Sequence, residues 1–376
     1  MRRILSFAIL ASNMAFAESK YDFIYNEVHK LETHEAQEQE TTENVITKQI
    51  KEQILLNRDA NTVRRGAHAK AHGCVVGKLK IENSALPAEL KVGFFAKNAT
   101  YKTWTRFSNG NGQVQNDKIP DGRGMAVQVV GVEGEKSLPK NVEEDEFKLQ
   151  DFIMINHPQF FIKNTADYDK FFQGVGKFFR LHPYELTIAL RTAAHLVTNP
   201  LKSQYFSMVP YALGSESAYK FSMAPEICED SKGLSSAWSY TGSNLMRQNM
   251  QDSLLKDKAC FKFYMQKFIS EAATPVEDPR INWSTFSNPI PVGNLEIKMQ
   301  TFTAMDSSGK VFQNAQDDAC ENSTFTPWHS LKVNRPLGSI NRTRGVIYGE
   351  TSELRHKENK VKKQATHPVD RIFFKS

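Results

Sequence analysis

Near the C-terminus Arg344 and Tyr348 stand four residues apart in the run Arg-Gly-Val-Ile-Tyr. On a helix that spacing lays the guanidinium beside the phenol. A phenol titrates near ~10, and an adjacent permanent cation favours the phenolate. A phenolate is one of the side chains that ligate the iron of ferric haem. Alone, the pair is also what any helix shows when an arginine covers a tyrosine ring. His68 adds a group that gains and loses a proton near neutrality, and with His72 it makes an i, i+4 pair that a helix could turn into a metal site. A strand beginning near Cys74 and the lack of a Glu directly after His68 weigh against zinc. Asn156, just before His-Pro, reads on its own as a loop or strand-end residue.

The wider pattern is more specific. Arg344-Gly-Val-Ile-Tyr348-Gly-Glu350-Thr351-Ser-Glu-Leu-Arg355 fits Arg-x-x-x-Tyr-x-[Asp/Glu]-Thr-x-x-x-Arg and so resembles the proximal haem-ligand signature of the catalase family. Arg65-Gly-Ala-His68-Ala-Lys70 is similar to that family's Arg-Val-Val-His-Ala-Lys, and Trp104-Thr-Arg106-Phe107-Ser108 to its Val-Arg-Phe-Ser. Asp121-Gly-Arg123-Gly124-Met-Ala126-Val127 is similar to Asp-Pro-Arg-Gly-Phe-Ala-Val, and Asn156-His-Pro158-Gln-Phe160-Phe161-Ile162 to Asn-Thr-Pro-x-Phe-Phe-Ile. The segments occur in family order, over residues 60–165 and 335–356.

The resemblance implies an α+β fold built on an antiparallel β-barrel with surrounding helices. It implies haem as cofactor, with Tyr348 as iron ligand and Arg344 tuning it. It makes His68 the distal acid–base, Asn156 the amide that holds the peroxide, and Arg65, Arg106 and Arg355 the partners of the haem propionates. The chemistry is coherent. Breaking a peroxide O–O bond heterolytically needs a proton taken from one oxygen and returned to the other, which an imidazole can do. Buried propionates need cations. The implied activity is decomposition of a small-molecule peroxide, as catalase or peroxidase. Alternatives in the same scaffold are transformation of a fatty-acid or organic hydroperoxide, and haem binding without turnover in an exported protein. Allene oxide synthases related to catalase carry threonine before the distal histidine, where this chain has Ala67, and that disfavours their chemistry. Gly349 and Glu350 replace the usual Pro and Asp. Gly66 and Ala67 replace two valines, which is expected to open the distal side to larger peroxides.

The elements that must position these groups are read as follows. Residues 1–17 have the grammar of a secretory signal peptide, with Arg2 and Arg3, an apolar stretch and Ala15-Phe16-Ala17; the chain is therefore expected to be exported, periplasmic or secreted. Residues 18–60 form an N-terminal arm with one amphipathic helix, its apolar face carrying Val45, Ile46, Ile50, Ile54 and Leu55. Residues 61–376 form a single haem-binding domain. Short β-rich runs at 75–81, 90–95, 104–107, 125–132 and 147–155 predict strands, and 133–146 an exposed acidic loop. Helices are expected within 168–197, at 259–272 and at 339–355, with further strands at 219–223 and 295–302. No apolar run is long enough to span a membrane. A net charge of +6 spread over 376 residues does not argue for nucleic acid. Cys74, Cys228, Cys260 and Cys320 allow up to two disulfides in an oxidising compartment, with three full pairings open. A homo-oligomer is compatible with the arm and undetermined by it.

Overall fold

The computed structural model describes residues 19–58, 62–138, 148–234, 242–305, 311–312 and 315–361. The proposed signal peptide and most of the acidic loop at 133–146 lie outside these residues.

Strands β1 (Ala71–Ile81), β2 (Ala99–Asn109), β3 (Arg123–Val130) and β4 (Leu149–Ile155) form an antiparallel meander. Strands β5 (Tyr205–Phe206), β6 (Tyr211–Leu213), β7 (Ser217–Glu226), β8 (Ala259–Lys267) and β9 (Ile290–Ile297) complete the sheet. Its order is β5-β4-β3-β2-β1-β9-β8-β7-β6, and pairing of β5 with β7 closes eight of these strands into a barrel. Eight strands leave an interior that side chains just fill. Here the filling is aromatic: Phe152 stacks edge-on against Phe221 and Phe263 at 5.0 Å between ring centres. Such rings contribute ~1.5–3 kcal/mol each on burial.

Strand alternation divides the residues between two faces. Along β3, Met125, Val127 and Val129 point into the barrel core, while Gly124 and Ala126 face outward and line the cavity described below. On that outer face cross-strand pairing aligns Cys74, Arg106, Ala126 and Ile153 in one row over β1 to β4. The next row holds Ser108, Gly124 and Ile155.

Two expected elements have the other type. Residues 90–95 are not a strand but parts of two 3-10 turns, Ala88–Leu90 and Gly93–Phe95, which plug Phe94 and Phe95 into the core. Residues 259–267 are strand β8, not helix. Phe261, Phe263 and Met265 alternate inward and are fully buried, a period of two that an aromatic-rich stretch can disguise as helical. The sequence expectation of a strand at 295–302 is met only as far as Ile297.

Helices α1 (Asp22–Asn26), α2 (Glu38–Glu40), the π-helical stretch Thr41–Ile46 and α3 (Thr47–Leu56) make up the arm, so it carries more than the single expected helix. The region 168–197 divides into α4 (Thr165–Gln173), α5 (Val175–Leu181) and α6 (Pro183–Ala193), separated at Gly174 and at His182-Pro183. Two helices had no sequence expectation, α7 (Leu245–Lys256) and α8 (Ala315–Asn322). The last, α9 (Ser339–Glu358), is found where expected.

The arm packs on α9. Ile46, Ile50, Ile54 and Val63 form an apolar cluster with Ile347. Arg342, fully buried on α9, donates to Glu32 and Glu38 of the arm and to Glu277. Glu32 and Glu277 also accept the N–H groups of Gly338 and Ser339, placing negative charge at the helix N-terminus. The helix is thereby fixed about its axis. The opposite stripe, Arg344, Tyr348, Ser352 and Arg355, faces the cavity.

The cysteines pair as Cys74–Cys320 and Cys228–Cys260, with Cα atoms 5.9 and 5.2 Å apart. The first ties β1 to α8. Among the described residues no helix is long and apolar enough to cross a membrane.

Candidate active site

A cavity of about 370 Å³ lies against the outer face of β2 to β4, with α4 and α9 among its walls. That volume is within the ~300–1,000 Å³ usual for cofactor and ligand sites. Tyr348, Arg344, His68, Arg65, Arg106 and Arg355 all line it. Six of the seven residues singled out in the sequence therefore meet in one place. Asn156 is not on the wall, although its neighbours Ile155 and Gln159 are.

Arg344 Nη2 donates to Tyr348 Oη at 3.4 Å, and its guanidinium carbon stands 5.3 Å from the ring centre. Nη1 donates to Asn341 Oδ1 at 3.1 Å, which holds the guanidinium in place. Burial alone would lower the arginine's pKa, but the nearby Tyr348 and Tyr211 oxygens raise it. Tyr168, also on the wall, is held as a neutral phenol at about 12, mainly by burial.

His68 sits on the segment entering β1 with φ of 58°, a conformation that a non-glycine residue adopts only when its surroundings dictate it. Its Nδ1 lies 2.5 Å from the Asn109 carbonyl oxygen and 3.1 Å from Ser108 Oγ. A carbonyl only accepts, so Nδ1 carries the hydrogen and Nε2 presents a lone pair. Burial, then the charge of Arg106, lowers its pKa to about 4, leaving the ring neutral at pH 7. The fit is close: a Cβ on Gly124 would come within 2.5 Å of His68 Nδ1 and 2.7 Å of Ser108 Oγ. His72, by contrast, is fully buried on β1. The described residues contain no cluster of three or more His, Cys, Asp or Glu able to hold a metal ion.

Arg65, Arg106 and Arg355 form a cationic wall. Arg65 Nη2 donates to the carbonyls of Cys320, Glu321 and Ser323, and Arg355 Nη2 to Ser323 O and Ser352 Oγ. Arg106 Nη2 donates to the His68 carbonyl at 2.9 Å and pairs with Glu321 at 3.1 Å. Burial and mutual repulsion push Arg65 well below its ordinary value, and burial lowers Arg355 to about 10. The buried Nε atoms of Arg65 and Arg355 have no hydrogen-bond partner. Crowded cations with unsatisfied donors suit a ligand bearing carboxylates, so this wall fits the acidic edge of a haem. Haem's other requirements, an iron-ligating oxygen and an apolar wall, are matched by Tyr348 and by Phe160, Phe161, Phe171 and Phe172.

Asn156 is buried at the end of β4. Its Oδ1 accepts the Arg123 N–H at 2.7 Å, while its Nδ2 has no partner. Arg123 is structural: it binds the Asp117 and Ile119 carbonyls and lies 3.6 Å from Asp121.

Two of the four replaced positions, Gly349 and Gly66, face the arm. A Cβ at Gly349 would lie 2.5 Å from Tyr21 Oη, and one at Gly66 would lie 2.8 Å from Ile54 Cδ1. A side chain at Gly66 would thus meet α3, and Gly66 and Ala67 both line the cavity. Glu350 turns to the arm, accepting from Tyr21 and pairing with Lys20 and Lys51.

Sequence reasoning missed Glu321, which lies in a stretch with no recognisable motif. Its one signal was adjacency to Cys320.

Fold and cavity together define a class: a closed antiparallel barrel carrying a buried, tyrosine-bearing pocket on its outer face, roofed by α9. No family model matches the chain, and no curated protein does. Among solved structures it is similar to a bacterial catalase, at 15% identity and a TM-score of 0.58 over 84% of this chain and 61% of that one. A fungal catalase matches at 14% identity and a TM-score of 0.58, over 81% of this chain and 61% of that one. The fold is thus catalase-like, and the chain spans about 61% of the length of these two catalases.

Proposed function

We propose that this chain is a haem-dependent enzyme that decomposes peroxides, with hydrogen peroxide as first substrate. The observation that carries this reading is the meeting, in one cavity, of a tyrosine paired to an arginine, a neutral histidine and three arginines, two of them with an unsatisfied donor. Tyr348 Oη would hold the iron, and Arg344 would donate a hydrogen bond to that oxygen. Arg65, Arg106 and Arg355 would hold the propionates. Bound haem would supply the redox-active ferric centre at which the O–O bond is cleaved. His68 Nε2 takes the proton from one peroxide oxygen and returns it to the other, a task its neutral state permits. Asn156 has no part in this step, because it lies behind the cavity wall. The phenylalanine wall keeps water away from these exchanges.

Residues 61–376 are read as one haem-binding domain. Two disulfides and the leader-like residues 1–17 support an exported, periplasmic or secreted protein.

Haemin titration of the purified chain, followed by absorption spectroscopy and an oxygen electrode, tests the proposal. The expected result is a high-spin ferric tyrosinate spectrum with oxygen release from hydrogen peroxide, and loss of that ligation in Tyr348→Phe. Consumption of organic hydroperoxides without oxygen release would move the assignment to hydroperoxide transformation. A tightly bound haem without turnover of either would leave a haem-binding protein. A chain that stays colourless with haemin overturns the reading.

A further inference from the structure

The cationic wall already contains an anion belonging to the chain itself. Glu321 places Oε1 3.1 Å from Arg106 Nη2 and 3.4 Å from its Nε, and Oε2 3.8 Å from Arg65 Nε. Its backbone is pinned from both sides. Cys320 is bonded to Cys74 on β1, and Arg65 Nη2 grips the carbonyls of residues 320, 321 and 323. The side chain thus cannot drift far from the arginines. Burial would raise its pKa, but Arg106, Arg65 and Arg355 together lower it to about 2, so it is charged throughout the physiological range. Three guanidinium groups therefore face one resident carboxylate, and any carboxylate that binds them meets its repulsion or takes its place.

We propose that Glu321 is an internal competitor for the arginine wall, neutralising part of it in the ligand-free chain and weakening the hold on the carboxylates of a bound porphyrin. This rests on the haem reading of the cavity and goes beyond it by assigning a residue that sets selectivity at the acidic edge. The competing role is that of a positioning residue, in which Glu321 orients Arg106 and Arg65 and helps them bind. The two roles predict opposite signs.

The test compares haemin with its dimethyl ester, which lacks both charged carboxylates, by Soret titration of the full chain. Glu321→Gln keeps an acceptor for Arg106 while removing the charge, and Glu321→Asp keeps the charge. Glu321→Gln is expected to bind haemin roughly tenfold more tightly with affinity for the ester unchanged, and its ligand-free form to melt at lower temperature. Glu321→Asp is expected to track the wild type in haemin-to-ester ratio. Weaker haemin binding by Glu321→Gln, or equal changes for haemin and ester, would overturn the proposal. If instead neither porphyrin gives a Soret band with the wild-type chain, the haem reading itself falls and this inference falls with it.

Discussion

Helix α9 carries buried arginines on two faces, and their surroundings are opposite. Arg342 is fully buried among Glu32, Glu38 and Glu277, and each of its three nitrogens is paired. Thirteen residues on, Arg355 shares its cluster with Arg65 and Arg106, and the Glu321 carboxylate there pairs with Arg106 and Arg65. The first cluster is closed: its charges are spent on holding the arm to the helix. In the second, two guanidinium nitrogens lack hydrogen-bond partners and like charges crowd one another. A protein gains no stability from such crowding, because burying three cations against one carboxylate leaves charge uncompensated, at a cost of several kcal/mol. Cation excess at a cavity wall is intelligible as a binding site, whereas the compensated cluster is intelligible as scaffold.

The sharpest way to break this contrast is at the residue the open cluster supports. Arg106 binds the His68 carbonyl, and His68→Ala is expected to lower peroxide turnover by about two to four orders of magnitude while haem content, read from the Soret band, stays intact. An unchanged rate would remove His68 from the chemistry. Next in size is the closed cluster. Arg342→Met strands three carboxylates and is expected to cost ~3–5 kcal/mol of stability, measured by urea denaturation of the ligand-free chain. A loss below 1 kcal/mol would deny the cluster its structural role.

Arg355→Gln should do the reverse. Relief of repulsion leaves ligand-free stability within about 1 kcal/mol of wild type, while haemin affinity falls by roughly ten- to a hundredfold, the worth of a charged hydrogen bond of about 1.5–3 kcal/mol. A large melting shift without an affinity change would make the two clusters alike.

The smallest effect is on pH. His68 titrates at about 4 in the folded chain against ~6.5 when unfolded. Between these values the unfolded chain takes up a proton that the folded one refuses, so this contribution to stability is complete above 6.5 and is lost as pH falls through 4. The Glu321 carboxyl acts in the same sense at lower pH, being held at about 2. Turnover that needs neutral His68 is accordingly expected to persist down to pH near 4, and an acid limb centred near 6.5 would contradict it.

Much of the site was legible because its signals are local. Arg344 and Tyr348 meet through one turn of helix, and strand alternation alone puts Arg106 and Ser108 on the same face. Residues 259–267 were misread because a run of aromatic and basic residues fits either period until its neighbours β7 and β9 are known. Asn156 shows a different limit: a motif fixes its place at the end of β4, yet the depth of that strand end behind the cavity wall is a matter of packing.

The helix that bears the tyrosine, the strands that bear the arginines and the residue types able to bind an acidic cofactor can all be read from the order of residues, since each depends on spacings of two to four positions. Which arginines would be compensated is set by long-range packing. That outcome rests on contacts across hundreds of residues, Arg342 with Glu38 and Arg106 with Glu321, the latter placed by a disulfide spanning 246 positions. Charge balance in a buried site is a property of the assembled fold, because no carboxylate is committed to an arginine until packing has excluded the water that would otherwise serve both.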